Sequence, residues 1–103
     1  MKNNMRPVPP GEILAEEFLK PMGMTANALS KAIGVPPNRI TAILKGDRGI
    51  TGDTAVRLAT FFDTTSEFWM NLQTSYELRI AEKALPKSVR RNIEAQRESL
   101  VSA

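Results

Sequence analysis

Apolar residues recur along this chain at intervals of three and four, with no run of strict alternation, so the spacing predicts helices and no strands. The first pattern, Ile13, Leu14 and Phe18, is expected to start at Pro10, where proline suits the first turn and Glu12 suits the helix dipole. Pro21 and Gly23 are expected to end it. A second pattern has Thr25 as its N-cap, puts Ala28, Leu29, Ala32 and Ile33 on one buried stripe, and stops at Gly34. The third is short, from about Pro37 to Lys45, and closes at Gly46. A fourth follows Thr51, with Ala55, Leu58, Ala59 and Phe62 at i, i+3, i+4 and i+7, and ends at Asp63, where glycine would be easier. The fifth follows Thr65, with Trp69, Leu72 and Tyr76 on one face and Phe68 beside it. Beyond Leu85-Pro86 a weaker pattern, Val89, Ile93 and Leu100, is polar and basic around its few anchors and suits a helix that docks on something. The expectation is an all-α, five-helix domain over residues 9–80, a flexible arm over 1–8, and an extension over 81–103 whose helicity stays open.

The third pattern is the unusual one. Ile40, Ile43 and Leu44 fall on one side, and at 3.6 residues per turn Asn38, Ala42 and Lys45 then point outward, with Arg39 and Thr41 on the flanks. Together with the second pattern it reads as a helix-turn-helix over about residues 25–45. The glycine in the turn lets the chain reverse at a wide angle, so the second helix projects, and a projecting helix fits a DNA major groove. Asn can pair with adenine and Arg with guanine in bidentate fashion, and short Thr41 and Ala42 allow close approach to a thymine methyl. Lys45 and Arg48 sit at the far end, where phosphates are the expected partners. Thr25, Asn27 and Lys31 on the preceding helix complete the candidate DNA-binding set. The competing reading for each is a solvated side chain. Pro36 and Pro37 stiffen the start of the third helix: Pro37 at N1 has no N–H to leave unpaired, and Pro36 is pushed to the extended backbone a cap needs.

Charge sharpens this picture. The chain has 103 residues and a net charge of +3. Residues 25–51 carry Lys31, Arg39, Lys45 and Arg48 against Asp47 alone, so the most basic segment is the one that holds the helix-turn-helix, as a polyanion partner would require. Composition closes other routes. There are no cysteines and no histidines, which removes thiolate metal sites, disulfides and the commonest general base. Glu16 and Glu17 are adjacent and point about 100° apart on a helix, so they cannot converge on one atom. No P-loop or Rossmann glycine pattern occurs. No catalytic residue, metal or cofactor is expected. With no membrane-length apolar run and no apolar signal segment, the expected location is the cytoplasm.

Four stretches, "PGEILAEEFLKPMGM" (residues 10–24), "IGVPPNRITAILKGDRGIT" (33–51), "TAVRLATFFDTT" (54–65) and "EFWMNLQTSYEL" (67–78), resemble the HigA-type antitoxins, a branch of the lambda-repressor-like (XRE) helix-turn-helix family. The "FWMNLQ" block is the most diagnostic, because generic repressors lack it. The chain departs from the family pattern at Pro9, where histidine is usual, at Ala26, where glutamine is common, at Asp47, where lysine is frequent, and at Asp63, where glycine is usual. The resemblance implies a lambda-repressor-like fold and a two-fold homodimer on an inverted-repeat operator. It also implies repression of the chain's own operon and neutralisation of a cognate RelE-like, mRNA-cleaving toxin. The two recognition helices of such a dimer lie about 34 Å apart. Phe68, Tyr76 and Leu78 are the candidate dimer residues; Trp69 and Leu72 suit a core better. The competing readings are a stand-alone regulator without a toxin, and a protein-interaction inhibitor that no longer binds DNA.

Overall fold

The computed structural model describes residues 6–102. The described residues form six helices, joined by short turns: α1 (residues 10–22), α2 (Ala26–Ile33), α3 (Pro37–Lys45), α4 (Gly52–Phe62), α5 (Ser66–Ala84) and α6 (Lys87–Ser102). None of them is long and apolar enough to cross a membrane. The chain is all-α, as its periodicity implies, and the extension left open by the sequence is helical.

The caps follow from local chemistry. The Thr25, Thr51 and Thr65 hydroxyls accept from the backbone N–H groups of Ala28, Thr54 and Phe68, so each satisfies a donor that the first helical turn would leave unpaired. Pro36 caps α3 by conformation alone, extended at φ −64° and ψ 145°, with Pro37 in the first turn. Asp63 closes α4 at φ 57°, the one left-handed residue other than glycine among those described.

α1 corrects the expectation that Pro21 ends it. Its middle, Leu14–Leu19, is a π-helical turn, and the Lys20 N–H reaches back five residues to the Ala15 carbonyl. A proline inside a regular helix lacks its N–H and clashes with the carbonyl four residues earlier. The wide turn opens the ladder just ahead of it, so Lys20–Met22 continues helical and Gly23, at φ 60°, ends the helix.

The core is drawn from α1 to α5. Leu14, Leu29, Ile40, Ile43, Leu58 and Trp69 are fully buried. α1 packs on α3 and α5, α2 on α3 and α4, and α4 on α5. Trp69 lies at the aromatic centre, with the Phe18 ring 4.9 Å and the Phe68 ring 5.0 Å away. Its indole N–H donates to the Thr64 hydroxyl at 2.8 Å, so the ring is buried without an orphaned donor. Gly11 brings α1 against α3 so closely that a Cβ there would collide with the Ile43 carbonyl oxygen.

The stripe expected on α2 needs a second correction. Ala28 and Ala32 are exposed, and Ser30 is buried beside Leu29 and Ile33. The Ser30 hydroxyl donates to the Asn27 carbonyl at 2.7 Å, so the core accepts it without an unpaired donor. Alanine carries too little apolar area to steer a helix, and Leu29 and Ile33 set the inward direction.

Residues 1–5 of the expected arm lie outside the described residues. The Arg6 guanidinium donates to both carboxylate oxygens of Glu12, at 3.0 and 2.8 Å. That pairing holds the Glu12 carboxyl below, and the Arg6 guanidinium above, their ordinary ranges. At the opposite extreme, every residue from Ala81 to Val101 is exposed, and the molecule is elongated, 59 × 25 × 24 Å.

Candidate nucleic-acid interface

The surface is built on the turn between α2 and α3. Gly34 takes the left-handed conformation (φ 73°), and the Val35 N–H returns to the Ser30 carbonyl at 3.0 Å. Arg57, reaching over from α4, donates to the Ile33 carbonyl at 2.7 Å and the Gly34 carbonyl at 3.3 Å. The α2 C-terminus is therefore held by side chain and backbone together before α3 begins.

On α3, Ile40 and Ile43 anchor the inner side and leave the outer side to solvent. Asn38, Thr41, Ala42, Lys45, Asp47 and Arg48 line one shallow, mostly polar hollow. Five candidate contact residues thus share a surface, joined by Asp47. Asn38, Thr41, Lys45 and Arg48 are exposed, while Ala42 is half-buried at the floor. The Thr41 hydroxyl lies 3.3 Å from the Asn38 carbonyl and 3.4 Å from that of Pro37, so local backbone acceptors hold its proton. Thr25, which caps α2, and Asn27 and Lys31 within it are exposed and do not line this hollow.

Arg39 is placed differently. It lies outside the hollow, 28% exposed, and its guanidinium donates to the Asp53 carboxylate at 2.7 Å. The Arg57 Nε donates to the same oxygen at 3.0 Å. Hydrogen bonds from Arg39 and then Arg57 hold the Asp53 carboxyl below its ordinary range, so it stays ionised further into acid than an unpaired aspartate. Nothing in the local sequence pattern pointed to Asp53 or Arg57; the contact spans 14 residues.

Sequence reasoning also missed Gln73. Its buried side-chain oxygen accepts the Ile50 N–H at 2.7 Å, and its nitrogen donates to Glu77 at 2.7 Å. A Cβ on Gly49 would stand 2.8 Å from the amide nitrogen, so glycine is what lets the loop approach. Gln73 thereby fixes the segment after α3 that carries Asp47 and Arg48. The available signal was a glutamine inside the diagnostic "FWMNLQ" block.

The candidate dimer residues are not brought together on one face. Phe68 packs on Trp69 and Phe18, with 37% of its surface open. Tyr76 lines a groove with Val8, Ile13, Leu72 and Arg79, and Leu78 is 56% exposed. At about 100° per residue, Tyr76 and Leu78 point roughly 160° apart around α5, so one flat interface cannot use both.

A short, rigidly capped helix that turns a polar hollow outward from a helix-turn-helix defines the class of helix-turn-helix DNA-binding regulators. A family model described as "Helix-turn-helix" matches residues 16–69. Virulence-associated protein I of Dichelobacter nodosus is 52% identical over 82 residues, covering 80% of this chain and 76% of its own. The structure of an addiction module antidote protein of the HigA family from Coxiella burnetii superposes with a TM-score of 0.79 at 54% identity, covering 84% of this chain and 95% of that one. The Pseudomonas aeruginosa antitoxin HigA, solved with the higBA promoter, gives 0.75 at 44% identity, covering 77% and 86%. The chain belongs to the XRE-type helix-turn-helix family, and within it to the HigA-type antitoxins. These are DNA-binding proteins, not enzymes.

Proposed function

We propose that this chain is an antitoxin and autorepressor of the cytoplasm, which binds an inverted-repeat operator of its own operon as a homodimer and neutralises a cognate RelE-like, mRNA-cleaving toxin. The observation that carries the DNA half is the hollow of Asn38, Thr41, Ala42, Lys45 and Arg48 on a helix whose start is fixed by two prolines. Asn38, at the leading end, reads a base, and Thr41 and Ala42 admit the groove edge. Lys45 and Arg48 neutralise phosphates, with Thr25, Asn27 and Lys31 available to the flanking backbone. The dimer uses the Tyr76 side of α5, because Tyr76 also borders the loop of Asp47 and Arg48 and so lies beside the DNA-facing surface. The toxin half rests on the HigA relatives.

A second reading, a protein-interaction inhibitor without DNA binding, draws on two features. Asp47 sits within the hollow, and the Arg39 charge is already paired with Asp53. Gel-shift titration on the DNA upstream of the reading frame, over a range of salt, separates the two. Operator binding should weaken with salt at about 0.9 log units per log unit for each phosphate neutralised. Asn38→Ala should relax preference at one base pair by about 1–3 kcal/mol. Lys45→Ala should weaken all sequences alike and flatten the salt slope by about one. Absence of a shift at low salt, with an adjacent toxin still neutralised on co-expression, would establish the inhibitor reading instead.

A further inference from the structure

Five groups from three helices and a turn form one continuous chain of hydrogen bonds. The Ile33 and Gly34 carbonyls accept from Arg57, Arg57 donates to Asp53, and the same Asp53 oxygen accepts from Arg39. Asp53 stands in the first turn of α4, where the helix dipole favours a carboxylate. Arg57 lies one turn further along the same helix and clamps it. The far end of the chain is the residue whose chemistry best suits guanine, at the leading end of the reading helix.

We propose that Asp53 is a positioning residue for sequence reading: it holds the Arg39 guanidinium in one orientation, so that Arg39 meets DNA already aimed. The proposal rests on the operator-binding reading above. Three points carry it. An arginine side chain has several free torsions, and ordering them on binding costs affinity unless they are ordered beforehand. Arg39 has five N–H donors; the bond to Asp53 occupies one of them and leaves others for a bidentate contact. Two arginines on one carboxylate leave a net positive charge, so the cluster still attracts the DNA backbone despite its acid. Exposed ion pairs contribute little to stability as a rule, which leaves orientation as the effect to look for. The hydrogen bonds from Arg39 and Arg57, which hold the Asp53 carboxyl below its ordinary range, keep the arrangement intact further into acid than an unpaired aspartate would.

The test compares the full chain with Asp53→Asn, Arg39→Ala and the double variant on a panel of operators, each changed at one base pair. Melting curves accompany the binding curves, and Asp53→Ser stands in if the asparagine variant does not fold. Arg39→Ala should abolish preference at one base pair. Asp53→Asn should reduce preference at that same base pair by about tenfold, within the range one bidentate contact supplies. It should also strengthen binding to unrelated DNA, since a negative charge has been removed. In the double variant the aspartate change should cost no further preference. The proposal fails if Asp53→Asn leaves the Arg39-dependent preference intact or weakens every operator equally. It also fails if Arg39→Ala changes no preference, although the operator reading stands if Asn38→Ala still does. Loss of operator binding by the unchanged chain would sink the operator reading itself.

Discussion

α3 and α6 are both polar over most of their surface, yet they stand in opposite relations to the rest of the molecule. α3 has nine residues and hides Ile40 and Ile43 almost completely, so its polar outer side is the remainder of an anchored helix. α6 has sixteen residues and leaves Val89, Ile93, Leu100 and Val101 at 41, 57, 80 and 79% exposure. An amphipathic stripe therefore does not say by itself that a helix is packed. In α3 the stripe is spent on the chain's own core and the polar side is left for a partner. In α6 the stripe itself is what remains unpartnered. Sixteen residues is close to the length at which an isolated helix is marginal in water, so α6 has little beyond its own propensity to hold it.

The contrast can be broken most sharply at Ile43. Ile43→Ala should destabilise the domain by about 2–5 kcal/mol, read by chemical denaturation, because the backbone contact of Gly11 with Ile43 limits how far α1 can settle into the space. A cost below 1 kcal/mol would mean that α3 is not anchored as described. A smaller effect is expected at Gln73. Gln73→Ala should cost about 1–3 kcal/mol by leaving the Ile50 N–H without its partner, and amide exchange should speed up at Ile50 ahead of its neighbours. Uniform acceleration across α4 and α5 would show a general loss of packing in place of a released loop. The smallest effect belongs to α6, where Ile93→Ala should change stability by less than about 0.5 kcal/mol. A loss comparable to that at Ile43 would mean α6 docks on the body in solution.

The parts of the fold that local chemistry dictates were legible in the sequence. The three threonine caps, the two prolines at the start of α3 and the left-handed Asp63 all depend on residues within one turn of each other, and each is found where the pattern puts it. What escaped is non-local. The partner of Arg39 comes from the next helix, and Gln73 meets Ile50 across 23 positions, so no periodicity along one helix could reveal either. Ala28 and Ala32 depart from the expected stripe for a different reason: a residue with a single methyl is compatible with both sides of a helix, and its place is decided by larger neighbours. Pro21 fails to end α1 because the rule for proline assumes a regular ladder, which the preceding turn does not keep. In the candidate interface the hollow assembles five of the candidate residues, whereas Arg39, on the flank of α3, shows that a position on a helical wheel does not settle what a long side chain grasps.

The π turn of α1 gives the chain's length a structural meaning. Such a turn is an insertion: it holds one residue more than the regular helix it interrupts. Deleting one residue between Leu14 and Leu19 should let the turn close into an even helix while Pro10–Ile13 keeps its facing, because the wide turn takes up the extra residue without rotating the helix on either side. Gly11 would stay against the Ile43 carbonyl, whereas Pro21 would lose the opened ladder ahead of it and meet the carbonyl four residues earlier. The extra residue is therefore tied to the proline that follows it, and the run of α1 up to Gly23 is set by a count as much as by the residues counted.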